Sequence, residues 1–204
     1  DASLQLISFS PSLVTVAVPL RITRYPVELP AQASALIFNW DYNSANDATP
    51  TRLKMLLNAG VNFFNIDHLD ENCENPDFSV IGRWVENFRR IAGPDYRFQL
   101  QLETSLIRNH GGWKPEFNPW LDKLVAATEH AGLKYEDWNL HIYDETLSDE
   151  FLDAARRIKA HNPNIRIFSD KAEPNPERMR QFASVVDYWC PLVPTLNDTQ
   201  YDSS

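Results

Sequence analysis

The chain has 204 residues, 43% of them hydrophobic, enough to bury a core in one domain or one domain with an appendage. A formal net charge of -9 and a pI near 5.0 repel phosphate backbones and anionic membranes, so nucleic acid and lipid are poor partners and a neutral polar ligand fits better. No apolar run approaches the roughly 18 residues that span a bilayer, and Asp1 is not followed by the charged and apolar regions of a signal peptide.

In chain order, LQLISFSPSLVTVAVPLRITRYPVELP (residues 4 to 30) holds two β-rich runs broken by Ser-Pro-Ser and closed by a proline-bearing stretch. Residues 1–33 therefore read as a β-rich segment or linker from a preceding β-domain. From Ser34 to Ser204 the pattern changes to short strand-like runs alternating with amphipathic helical segments, the rhythm of an α/β domain. Strands are expected near residues 35–42, 62–68, 98–103, 139–145, 165–170 and 187–193. Thr49-Pro50, Asn118-Pro119 and Asn175-Pro176 each place a capping side chain before a proline, and Gly60, Gly93 and Gly132 stand where helices should stop. Val80, Ile81, Trp84, Val85, Phe88 and Ile91 form one apolar helical face, and Phe151, Leu152, Ala155 and Ile158 form another.

A parallel strand covered by helices is usually apolar on both faces, so polar alternation inside such a series needs a cause. Four strands show it. Asn39 and Asp41 oppose Phe38 and Trp40, and Asn65 and Asp67 oppose Phe64 and Ile66. Gln99, Gln101 and Glu103 oppose Phe98, Leu100 and Leu102. In NLHIYDE, His141, Tyr143 and Glu145 oppose Leu140 and Ile142. A doubly wound sheet would bury those polar faces under helices at high cost, whereas in a (β/α) TIM-type barrel they converge on the lumen and the carboxylates reach the rim. The expected fold is such a barrel, incomplete or truncated because six strands precede the end of the chain. A polar core satisfied within itself is the competing account.

Asp144 and Glu145 are adjacent at a strand tip. Two ionised neighbours repel, so one pKa is raised, one group serves as acid and the other as base. Glycosidic cleavage needs that division: a proton for the leaving oxygen and a charge beside an oxocarbenium-like centre. Neighbours in sequence cannot flank the bond from opposite faces, although Asp41, Asp67 or Asp170 could supply the second side. Adjacency is explained if the sugar's own 2-acetamido oxygen attacks the anomeric carbon, one acid orienting the acetamide and the other acting as acid/base.

The H-I-Y-D-E run ending in Asp144-Glu145 resembles the dyad of acetamido-using β-hexosaminidases. The stretch PVELPAQASALIFNW, with Leu29-Pro30 before the first barrel strand, is similar to the barrel entry of glycoside hydrolase family 123, the β-N-acetylgalactosaminidase group. The resemblance spans about residues 15–193 and departs from the pattern at Thr146, where proline often follows. It implies a barrel after a β-sandwich, with Asp144 orienting the acetamide and Glu145 as the general acid/base.

Tyr143, Asp41, Asp67, Gln101, Glu103, His141, Asp170 and Trp189 are the remaining candidates for binding substrate, each with an ordinary structural role as the alternative. The loop NHGGWKPEF (residues 109 to 117) is a candidate cleft wall. Asp67, His68, Asp70, Glu71 and Cys73 cluster in sequence but fit no zinc or calcium frame, and no metal or cofactor is expected. Cys73 and Cys190 read as independent thiols. The expected partner is a glycan and the expected location secreted or periplasmic; a non-catalytic carbohydrate-binding or structural barrel fragment is the alternative.

Overall fold

The structure, a computed structural model, describes residues 2–8, 14–20, 36–39, 50–66, 69–70, 72–93, 96–102, 112–114, 117–173 and 175–190. The chain divides into two compact units, Asp1–Ser34 and Ala35–Ser204. In the first, the runs rich in Val, Ile and Leu form an antiparallel pair, β1 (Ala2–Ser8) and β2 (Val14–Leu20), with Ala2 opposite Leu20 and Ser8 opposite Val14.

The second unit alternates strand and helix. Its elements are β3 (Phe38–Asn39), α1 (Pro50–Asn58), β4 (Phe63–Ile66), α2 (Ser79–Ala92), β5 (Arg97–Gln101), α3 (Asn118–His130), β6 (Trp138–His141), α4 (Asp149–His161), β7 (Ile167–Ser169), α5 (Pro176–Ala183) and β8 (Tyr188–Trp189). A 3-10 turn at Tyr135–Asp137 leads into β6. All six strands are parallel and pair in sequence order from β3 to β8. Because parallel crossovers are right-handed, an order that never reverses sends every connecting helix to the same face. A doubly wound sheet requires a reversal, and there is none among these strands.

The uncovered face is concave. Neighbouring strands lie about 4.8 Å apart, so strands four places apart in a flat sheet would stand about 19 Å from each other. Yet the rings of Phe38 on β3 and Phe168 on β7 are 5.7 Å apart, and those of Phe63 on β4 and Tyr188 on β8 are 6.2 Å apart. The sheet has curled until its inner rings touch. This corrects the alternation expected for β3: Phe38 pairs with Phe63 and meets Phe63 and Phe168 on the inner face, not the helices. A curled sheet encloses space that polar side chains alone would leave unfilled, and these rings fill it.

Helices seal the outer face. Ile66, Leu100, Leu140 and Ile167 are in register across four strands and fully buried. From α2 the buried stripe Ile81, Trp84, Val85 and Phe88 packs over them, with Phe88 against Phe64 at 4.6 Å and Phe98 at 5.5 Å. From α4, Phe151 meets Phe182 of α5 at 5.9 Å.

Local signals fix the helix ends. Asn175 accepts the Glu177 and Arg178 N–H groups before Pro176, and Ser148 accepts the Phe151 N–H. At α3 the cap is Phe117, and Asn118 instead accepts Trp113 Nε1 at 3.3 Å. Past α3, Gly132 takes φ +75°, and the Arg89 guanidinium donates to Ala131 O (2.8 Å) and Gly132 O (2.7 Å). A Cβ there would stand 2.9 Å from that guanidinium, so the link between α2 and the end of α3 requires glycine. Among the described residues no helix is long and apolar enough to cross a membrane.

Candidate active site

The inner face is built in layers. One step from the aliphatic ladder, Asn65, Gln99 and Asn139 stand in register on β4, β5 and β6, each at most 1% exposed. Asn65 Nδ2 donates to Gln101 Oε1 at 2.9 Å, and Gln99 Nε2 reaches Asn65 Oδ1 at 3.4 Å. Gln99 Oε1 and Asn139 Oδ1 are buried with no hydrogen-bond partner among the described residues. Toward the carboxyl end of the strands, Gln101 is in register with His141 and His141 with Phe168, whose ring meets the imidazole edge-on at 5.2 Å.

β6 ends at His141, four residues short of the expected Glu145, and the alternation ends with it. Ile142 is still fully buried, but Tyr143 does not share the face of His141. It is 1% exposed with its ring 6.0 Å from Phe151 of α4, so it belongs to the packing between sheet and helices. Trp189, a candidate for binding substrate, likewise does not face the concave side. It is in register with Ser169, opposite in parity to Phe168 and Tyr188, and rests partly buried on the outer core. Asp41, Asp67 and Glu103 lie outside the described residues, as do His68 and most of the 109–117 loop.

Asp144 and Glu145 sit in the bend after β6, both exposed at the carboxyl edge of the sheet. Glu145 adopts φ +47°, the one described non-glycine residue with positive φ. Its N–H donates to both carboxylate oxygens of Asp170, at 3.0 and 3.1 Å. Asp170 follows β7 and is 5% exposed. His141 Nε2 lies 3.8 Å from Asp170 Oδ1.

These contacts make the carboxyls unequal. Partial desolvation and then a hydrogen bond to the Asp170 carboxyl push Asp144 above its ordinary value of 3.8, and the charges of Asp170 and Glu145 add to the rise against a weaker pull from His141. Burial alone would raise Asp170. The neighbouring His141, the Glu145 N–H and the Asp144 hydrogen bond together outweigh burial and hold it below 3.8. The two neighbouring carboxyls are therefore shifted in opposite directions, Asp144 upward and Asp170 downward. Burial, then Asp170, raises the Cys190 thiol, and Cys190 N–H donates to Ser169 O at 2.9 Å. Neither Cys73 nor Cys190 is in a disulfide with a described residue.

His141, Asp144 and Asp170 each bring a potential ligand atom within 4.8 Å of the others. Both Asp170 oxygens also accept the Glu145 N–H. In the sequence cluster after β4, Asp70 is structural: its oxygens accept the Asn72 and Asp77 N–H groups at 2.9 and 2.7 Å, and its carbonyl accepts Trp120 Nε1 at 2.8 Å.

Sequence reasoning placed Asp170 at the rim but did not join it to Glu145; a separation of twenty-five positions along the chain hides that bond. It also left out Asn139, although Asn139 shares the alternation of His141. Two clefts of about 340 and 580 Å³ lie elsewhere, one beside Leu133, Tyr135 and Trp138 at the start of β6 and one between α2 and α3. Residues 40–49, 67–68, 103–111 and 191–204, which follow β3, β4, β5 and β8 in the chain, are outside the described residues. No protein-family model matches the chain, and no curated protein matches it in sequence.

Proposed function

We propose that this chain is a glycoside hydrolase that removes a terminal β-linked N-acetylhexosamine, of the N-acetylgalactosamine type, by substrate-assisted retaining hydrolysis. The observation that carries the reading is the acid cluster at the tip of β6: Asp144 and Glu145 exposed side by side, with the buried Asp170 carboxylate accepting the Glu145 N–H. The sequential, curled sheet supports placing this edge on the rim of a (β/α) barrel, where βα loops build active sites.

In this mechanism the acetamide oxygen of the substrate attacks the anomeric carbon while Glu145 donates a proton to the departing glycosidic oxygen. The ring that forms carries positive charge on the former amide. Asp144 orients the amide N–H and stabilises that cation, while the buried Asp170 carboxylate holds the bend behind it. Glu145, now deprotonated, takes a proton from the water that opens the ring and restores the anomeric configuration. The polar inner face with His141 and Gln101 supports a neutral, hydroxyl-rich ligand, and the partner is a glycan outside the cytoplasm.

The test is turnover of an aryl N-acetyl-β-galactosaminide, with an aryl β-galactoside lacking the acetamide as control. Only the acetamido substrate should be cleaved, a chelator should leave the rate unchanged, and Glu145→Gln should lower kcat by about 10²–10⁴ with KM little altered. Sugar binding without turnover would replace the reading with a non-catalytic carbohydrate-binding protein, and loss of activity on chelation would replace it with metal-dependent chemistry.

A further inference from the structure

Among the described residues Asp170 is the one carboxylate at this edge that is almost fully buried, at 5% exposure, while Asp144 and Glu145 remain open to solvent. We infer that Asp170 is a positioning residue that locks the Asp144–Glu145 bend by gripping the Glu145 backbone, and is not a ligand for substrate hydroxyls. Both of its oxygens receive the Glu145 N–H, one hydrogen shared between two acceptors at 3.0 and 3.1 Å. The residue it grips is the one whose backbone is left-handed. A side-chain-bearing residue holds such a conformation only where its surroundings impose it, and here the imposing group is Asp170.

The grip has a rigid base. Asp170 leaves the end of β7, where Ser169 Oγ accepts the Lys171 N–H at 3.2 Å and Ser169 O accepts the Cys190 N–H at 2.9 Å from the end of β8. A curled sheet thereby fixes one carboxylate, and that carboxylate fixes the bend across the neighbouring strand. With its outer side turned to the Asp144 carboxyl and His141 at 3.8 Å, Asp170 has little surface left for a sugar. The chain leaves β6 after His141, and left-handed backbone at Glu145 within the bend lets the Asp144 and Glu145 side chains leave the main chain without the strict opposition of strand neighbours. Asp144 and Glu145 can then address one substrate from the same edge.

The kinetic half of the test rests on the hydrolase reading; the backbone half does not. On the full chain, amide hydrogen exchange at Glu145 is compared in wild type, Asp170→Ala and Asp170→Asn, together with kcat and KM for the aryl N-acetyl-β-galactosaminide. Asp170→Ala should speed exchange at Glu145 by about tenfold or more, because the amide loses the carboxylate that accepts it. It should lower kcat by about 10²-fold through misplacement of Glu145, with KM held within about threefold. Asp170→Asn keeps an acceptor oxygen at the same place and should restore most of the protection and part of kcat. If Asp170→Ala does not fold, the split between KM and kcat in Asp170→Asn decides. A raised KM with unchanged kcat, in either variant, would make Asp170 a sugar ligand and overturn the inference. Should the wild type cleave no glycoside, unchanged Glu145 exchange in Asp170→Ala overturns the positioning role and faster exchange supports it.

Discussion

Gln99 and Leu100 are neighbours on β5, and both are completely buried. Leu100 belongs to the aliphatic ladder with Ile66, Leu140 and Ile167 on the helix-covered face, and Gln99 to the amide ladder with Asn65 and Asn139 on the concave face. Equal burial has opposite meanings on the two sides. In the outer ladder, the side-chain atoms removed from water are apolar and add to stability. Inside, Gln99 keeps only a 3.4 Å bond to Asn65 while its Oε1 has no partner among the described residues, so its desolvation is poorly offset. The outer face holds the unit together; the inner face holds polar groups where hydrophobic ones would be more stable. Proteins retain that kind of cost where function needs the groups.

Three substitutions separate the faces. The largest effect is expected from Leu100→Ala, which should cost about 2–5 kcal/mol in urea unfolding through lost burial and a cavity under α2. Gln99→Met, equal in bulk and one residue away, should change stability by less than about 1 kcal/mol in either direction, because it removes a poorly satisfied amide rather than a packed side chain. If the two cost the same, the amide ladder is as structural as the aliphatic one and the contrast disappears. The smallest effect belongs to the acid edge. Since the folded chain holds the Asp144 proton above the ordinary value of 3.8 and the unfolded chain releases it there, stability should fall as pH rises from 3.8 through the native titration of Asp144. Asp170 acts in the opposite sense, its depressed pKa costing stability as pH falls below 3.8. Comparing wild type with Asp144→Asn across pH should show the downward slope above 3.8 only in wild type; identical profiles would remove the proton from Asp144.

Much of the fold was legible from the chain because each strand carries its own signal. All six parallel strands lie within or beside the expected runs, since short apolar-rich segments between capped helices are local facts. Asn175 and Ser148 cap helices from within three residues. What escaped was long-range. Phe38 faces inward because Phe168, far along the chain, curls round to meet it. Tyr143 lies beyond the last ladder bond of β6, so period two no longer governs it, and Phe151 draws it toward α4. Trp189 follows the register of Ser169, which its own two-residue strand could not reveal. The candidate site was legible as a pair of acids but not as a trio, because the bond from Asp170 to Glu145 depends on where β7 settles beside β6.

The most direct measurement of the central claim is calorimetric binding of a thiazoline fused to N-acetylgalactosamine, in which sulfur stands for the acetamide oxygen after it has closed on the anomeric carbon. A site built for that cyclised species should bind it about 10²-fold or more tightly than N-acetylgalactosamine itself, and Asp144→Asn should lose most of that preference. Equal affinity for the thiazoline and the parent sugar in wild type, or an unchanged preference in Asp144→Asn, would contradict a reaction carried by the substrate's own acetamide.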